Sequence, residues 1–197
     1  MTNLQRDGFL FFSYSPDPSL EKHFLDINNY REYKKEVIPM DGDGNVVTIE
    51  KFIKPVEDPY HSLFHSYTPE GYKPSRDGYE AHMFLKGDIL GPHTVPPFLN
   101  NDIVRAGIIF WFTPTHFEGR EFIFGKVHGP DQILGTDEVC PITKYSWKDK
   151  RLEEILRIKP YTGLGMLLDA SDPKWYHAVS ELISDTPVAS IVGNILY

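Results

Sequence analysis

Five consecutive apolar residues, Ile108-Ile109-Phe110-Trp111-Phe112, constrain the fold of this chain more than any other feature. β-Branched and aromatic side chains at every position leave no polar face, and such a run suits a strand covered on both sides. Gly107 precedes it and Pro114 follows closely, and both discourage a helix. Phe117-Glu118-Gly119-Arg120 then carries turn chemistry. From there the side chains alternate: Glu121, Ile123, Gly125 and Val127 face one way, and Phe122, Phe124, Lys126 and His128 the other. Residues 102–128 are therefore expected to form two strands joined by a short turn in the middle of a sheet. Phe110, Trp111 and Phe112 should be the largest contributors to the core.

The rest of the chain adds strands around this centre. Residues 8–14 read as a strand stopped by Ser15-Pro16-Asp17-Pro18, and a short helix with Leu20, Phe24 and Ile27 on one face follows. Residues 30–39 and 46–53 read as a hairpin about Asp41-Gly42-Asp43-Gly44-Asn45. The same spacing imitates the start of a calcium loop, but Val46 stands where that loop needs glycine and Phe52 where it needs glutamate. Residues 79–90 alternate again, and the last ten residues are apolar enough for a final strand. In the C-terminal third, Ser146-Trp147-Lys148-Asp149 has capping-box spacing ahead of Leu152, Ile155 and Leu156. Asp172-Pro173 likewise precedes Trp175, Val179, Leu182 and Ile183 at helical spacing. The expected fold is a single β-rich α+β domain over residues 1–197: an antiparallel sheet or open barrel with two C-terminal helices packed on one face or end.

Two connections stand out. Residues 55–78 hold Pro55, Pro59, Pro69 and Pro74 with Tyr60, Phe64, Tyr67 and Tyr72 interleaved, and residues 91–101 hold Pro92, Pro96 and Pro97. Long irregular connections of this kind are functional or reach onto a neighbour, and exposed aromatic surface marks interfaces. Tyr60, Phe64, Tyr67 and Tyr72 are accordingly candidates for contact with a protein partner or a second copy of the chain.

A formal charge of −8 argues against a general nucleic-acid binder, which needs a basic face. No stretch of about 20 apolar residues is present to span a membrane. The N-terminus lacks the basic-then-apolar pattern of a secretory signal, and Cys140 stands alone, so no intrachain disulfide forms. These features together point to a cytoplasmic protein.

No complete catalytic signature is present. Gly163-Leu164-Gly165 lacks the third glycine and the lysine of a phosphate cradle, and no nucleophile elbow occurs. The histidines are the chemically interesting group. His61, His65, His82, His93, His116 and His128 fall in the middle half of the chain, and imidazoles with carboxylates are the usual ligands of transition metals. His82, His116 and His128, with Glu80, Glu118 and Glu121, are the candidate ligands of a divalent transition metal around the central strands. Three readings follow. The leading one is a non-catalytic assembly protein, a subunit of a larger complex such as a virus particle, motivated by the two proline-rich connections. The alternative is a metal-dependent enzyme using the His/Glu set. The third is a small-molecule-binding β-domain lined by Phe84, Phe122 and Phe124.

Overall fold

The computed structural model describes residues 3–37, 49–55, 61–68, 72–74, 80–99, 102–129, 143 and 145–196. In chain order these form α1 (Asn3–Asp7), β1 (Phe9–Ser13), α2 (Pro18–Leu25), a 3-10 turn (Ile27–Asn29), β2 (Tyr30–Val37), β3 (Ile49–Pro55), α3 (His61–Tyr67), β4 (Lys73–Pro74), β5 (Glu80–Phe84), β6 (Leu90–His93) and β7 (Phe98–Leu99). The sequence continues through β8 (Asp102–Phe112), β9 (Phe122–Val127), β10 (Leu152–Ile158), β11 (Leu164–Asp169), β12 (Trp175–Val179) and β13 (Val188–Leu196).

Two antiparallel sheets carry the fold. The first runs β1-β11-β8-β13, with β4 and β5 both pairing to β13 and β7 folding back on β8. The second runs β10-β9-β12-β6. From β5 onward the chain passes repeatedly from one sheet to the other, so neighbours in a sheet are mostly distant in sequence. This is the winding of a double-sheet jelly roll. β2 and β3 pair separately, and β3 lies beside β5.

The apolar run of β8 explains the layering. Ile109 and Trp111 face the second sheet, where they meet Phe122, Phe124, Trp175 and Val179. Ile108, Phe110 and Phe112 face the opposite way, into a core closed by Tyr14, Phe24, Leu63 and Phe64. Alternate residues of one strand thus feed two different cores. The outer core is locked by edge-to-face rings, Phe64 on Phe110 at 5.2 Å and Tyr14 on Phe110 at 5.1 Å, and by the Tyr14 hydroxyl donating to the Trp111 carbonyl at 2.6 Å. A third core, on the far face of the second sheet, holds Ile123, Val127, Tyr145, Tyr176 and Ala178.

Three sequence expectations hold. Residues 8–14 contain β1, residues 30–37 and 49–55 pair antiparallel, and the C-terminal end is a strand. The turn at Asp41 to Asn45 lies outside the described residues, as does Cys140. The helix after Pro16 begins at Pro18, two residues before the first residue of its apolar face, Leu20: Asp17 is its cap, with its carboxylate accepting from the Ser19 amide at 2.8 Å.

Two expectations are corrected. β8 and β9 do not form a hairpin: β8 lies in the first sheet and β9 in the second. Apolar alternation gives the face of a strand but not its partner, and two strands buried on both faces need more neighbours than each other. The two C-terminal helices are strands β10 and β12. In β10 the register shifts between Glu154 and Leu156, so Ile155 is left half exposed while Leu156 and Ile158 turn inward. That bulge reproduces the 152/155/156 spacing of a helix. In β12 the four-residue spacing of Trp175 and Val179 suits a strand face as well as a helix face, and Asp172 caps a turn, accepting from the Lys174 amide at 3.0 Å. Among the described residues the α-helices are short and all lie before residue 68, and no helix is long and apolar enough to cross a membrane.

Trp111 is 2% exposed between the sheets. Trp111→Ala should lower unfolding free energy by roughly 3–5 kcal/mol. A denaturant melt with an unchanged midpoint would contradict this packing.

Candidate functional site

The space between the two sheets is apolar except for a few polar side chains, and these define the site. On β12, Trp175, His177 and Val179 alternate toward that space, while Tyr176 and Ala178 turn outward. β6 pairs antiparallel with β12 and sets His93 directly opposite His177. Their ring centroids are 4.0 Å apart at an interplanar angle of 53°. Both residues keep some solvent-accessible surface, so the pair sits at a mouth of the sandwich rather than in its sealed centre.

The protonation of this pair suits metal binding. His93 Nδ1 lies 2.8 Å from the Gly91 carbonyl oxygen. A carbonyl only accepts, so Nδ1 carries the hydrogen, and in the neutral ring Nε2 holds the lone pair. An imidazole oriented by a backbone carbonyl in this way is the usual arrangement behind a metal ligand. Burial pushes the His177 imidazolium well below its ordinary range, and the neighbouring His93 pushes it further. The Phe122 ring stacks against His177 at 5.8 Å and the Trp111 ring meets Phe122 at 5.4 Å; these walls withhold the water that would stabilise a cation. The neutral imidazole, the form that burial favours at His177, is the form that binds a metal.

Two residues before Phe122 stands the second feature, Arg120. It is 2% exposed. Its backbone has φ 57° and follows Gly119 at φ 76°, a conformation that is costly for a side chain with a Cβ. The Arg120 amide donates to the Glu181 carbonyl at 2.9 Å, and Gly119 bridges to Leu182, which holds the turn in place. The guanidinium carbon sits 3.2 Å from the centre of the Phe84 ring. Nη2 donates to the Ser190 hydroxyl at a long 3.4 Å, and Nε has no hydrogen-bond partner. Burial pushes the guanidinium well down from its ordinary value, while Asp88 favours its charged form. Among the described residues, no carboxylate forms an ion pair with it. Other buried polar groups answer one another within the fold, as Thr113 with Thr162 and Asp169 with Ser171 do. Arg120 and Ser190 together form a fork suited to an incoming carboxylate.

The residues singled out from sequence are dispersed. His82 is buried on the inner face of β5, opposite Ser190 and 6.3 Å ring to ring from Phe84. Glu80 begins β5, opposite Val192. His116 and Glu118 are exposed on the connection between β8 and β9. His128 is exposed, with Nε2 2.6 Å from a Glu153 carboxylate oxygen, and Glu121 pairs with Arg157 at 3.0 Å. Among the described residues, no three of His, Cys, Asp and Glu form a group that could hold a metal ion. Phe84, Phe122 and Phe124 are all buried between the sheets. Of the aromatic candidates, Phe64 is buried against Phe110 and Tyr67 stacks on Phe12 at 5.2 Å. Tyr72 packs against the same core, and Tyr60 lies outside the described residues. His177 was missed because its segment reads as a helix. Read as a strand, Trp175-x-His177-x-Val179 places it on the buried face.

Comparison with known proteins follows from this geometry. No family model matches the sequence, and no curated protein matches it. Solved structures do match the fold. A 2OG-Fe(II) oxygenase family oxidoreductase from Burkholderia pseudomallei superposes with a TM-score of 0.50 at 13% identity, covering 98% of this chain and 86% of its own. A Pseudomonas putida prolyl-4-hydroxylase gives 0.53 at 9% identity over 98% and 95%. A Trichoplax adhaerens prolyl hydroxylase, solved with a hypoxia inducible factor peptide, gives 0.50 at 12% over 97% and 84%. The chain shares their jelly-roll fold. The expectation of a non-catalytic assembly or virion subunit is thereby corrected. The fold is one found in enzymes, it brings imidazoles and a buried guanidinium into one interior, and Phe64 and Tyr67 of the first proline-rich connection pack on the chain's own body.

Two outcomes follow. Folding lowers the proton affinity of His177, so the unfolded chain binds more protons as pH falls. Stability of the metal-free protein should be complete above the ordinary histidine value of 6.5 and decline below it. His177→Gln should flatten that slope in melts recorded across this range. Arg120→Met removes a buried charge whose nearby counter-charge, Asp88, forms no ion pair with it, and should leave stability unchanged or raise it by about 1 kcal/mol or more. A marked loss of stability in Arg120→Met would show that the guanidinium is a structural tie.

Proposed function

We propose that this protein is a metal-dependent enzyme that binds a divalent transition metal at His93 and His177 and a carboxylate-bearing small molecule at Arg120 and Ser190. The observation that carries this reading is the facing pair of imidazoles, His93 and His177, at the mouth of a jelly roll. The fold, shared with proteins named as 2OG-Fe(II) oxygenases and prolyl hydroxylases, supports an oxidoreductase of that kind, with iron and 2-oxoglutarate as the implied pair.

The donor set fits that pair in part. Non-haem iron of the oxygenase type takes two histidines and one carboxylate, with positions left open. His93 and His177 supply the first two; no described carboxylate joins them. The guanidinium of Arg120, with an unpartnered Nε, and the Ser190 hydroxyl fit one carboxylate of a diacid. Between the two features, Phe122 and Trp111 exclude water, which strengthens a charge-assisted bond at Arg120.

Metal binding by the chelator-stripped protein tests the first half. Wild type should bind one divalent ion, His93→Ala and His177→Ala should abolish binding, and His116→Ala and His128→Ala should leave it intact. The reverse pattern would return the site to the exposed histidines. Calorimetry with 2-oxoglutarate tests the second half. Arg120→Met should weaken binding by roughly 10–100-fold, the worth of a hydrogen bond to a charged group. Equal affinity in wild type and variant would remove Arg120 from the site.

A further inference from the structure

We infer that residues 180–187, which join β12 to β13, form a strap that opens and closes over Arg120, so that a carboxylate ligand reaches the guanidinium when the strap lifts. This rests on the reading of Arg120 as the carboxylate-binding group.

The strap is clamped between two turns. On one side, the Gly87 amide donates to the Leu182 carbonyl at 2.8 Å and the Leu182 amide donates to the Asp88 carbonyl at 3.1 Å. On the other, the Glu118 carbonyl accepts from the Ile183 amide at 2.9 Å and from the Ser184 amide at 3.2 Å, and the Arg120 amide donates to the Glu181 carbonyl at 2.9 Å. The strap is thus bonded directly to the residue it covers. The fit is close, since a Cβ on Gly119 would lie 2.1 Å from the Glu181 carbonyl oxygen. Leu182 reaches inward as a peg. It is 0% exposed and joins the cluster of Phe84, Phe117 and Val188, and Phe84 is the ring that carries the guanidinium.

The forces that close the strap are local. Of residues 180–187 only Leu182 is buried, and the next residue, Ile183, is 49% exposed. The Lys86–Asp185 ion pair, at 3.0 Å, also ties the strap to the first turn, but both side chains are exposed, and such pairs contribute little. β12 and β13 are held in their sheets by register on both sides, which confines motion to the eight residues between them. A segment with one buried side chain, and with hydrogen bonds that water can replace, opens at less cost than the whole fold. Lifting it withdraws Leu182 from the Phe84 cluster and bares the guanidinium, with its unpartnered Nε.

Two measurements on the full chain test this. The first is amide exchange without ligand. The amides of Gly87, Arg120, Leu182, Ile183 and Ser184 should exchange as one group, at least about tenfold faster than those of Ile109 and Phe110 in the centre of β8. Strap amides as protected as those of β8 would overturn the inference, because the strap would then open only on global unfolding. The second is stopped-flow binding of 2-oxoglutarate, with and without Mn(II), read by tryptophan fluorescence. With a strap in the way, the observed rate should level off as ligand increases, and Leu182→Ala should raise that ceiling by at least about tenfold, since it removes the peg that holds the closed state. A lock on the wild type covers the case of a Leu182→Ala variant that does not fold. Carbodiimide activates the Asp185 carboxylate, the Lys86 amine displaces the urea, and an amide fastens the strap to the first turn. The locked protein should bind at least about tenfold more slowly than Lys86→Arg treated in the same way, because the arginine keeps the charge and forms no amide. Equal rates in the locked, unlocked and Leu182→Ala proteins would overturn the strap and leave Arg120 as the binding group. Strap amides that exchange early in a protein that binds no 2-oxoglutarate under either condition would overturn the reading of Arg120, and with it the role of the strap.

Discussion

Paired on one side with β11 and on the other with β13, β8 is the strand on which the rest of the molecule depends. Its side chains are divided by the pleat. Ile109 and Trp111 fill the space between the sheets, and Ile108, Phe110 and Phe112 fill the space under α2 and α3. A strand with one polar face would leave one of these cores unbuilt. The hydrophobic gain scales with apolar area removed from water, and this strand delivers it on both faces at once. The sheet can therefore be central to two layers of packing, and the second sheet has a surface to close against.

That closure creates the functional interior. Winding alternately between sheets brings β6, from the middle of the chain, beside β12, from near its end. His93 and His177 meet because of this pairing alone, 84 residues apart in number and 4.0 Å apart in space. The same aromatic side chains that stabilise the sandwich, Phe122 and Trp111, withhold water from His177 and keep it neutral. Packing and chemistry are here one arrangement. The site is held on strands, which fix ring positions more firmly than loops do.

Arg120 shows the opposite relation between stability and use. A non-glycine residue at positive φ, carrying a buried cation over Phe84, is unfavourable in both backbone and charge. The fold tolerates it because the turn is tied to the segment at Glu181 and Leu182. Strain and a buried charge that makes no ion pair among the described residues are the marks of a group kept for binding rather than for folding.

The sequence by itself determined which segments are strands along most of the chain, that β8 is central, and that Trp111 and its neighbours are core. It did so because a run of β-branched and aromatic residues has few alternatives in water. It singled out His82, His116 and His128 as ligands, and counted His93 only as one of six histidines in the middle of the chain. It did not determine which strand lies beside which, since alternation specifies a face and is silent about partners. It misread β10 and β12, because a bulge at Ile155 and a four-residue repeat at Trp175 and Val179 produce helical spacing in extended chain. With β12 read as a helix, His177 had no reason to join the site. Only the tertiary structure could pair His93 with His177 and set a buried Arg120 beside Ser190, because both arrangements arise from contacts between segments far apart in the chain.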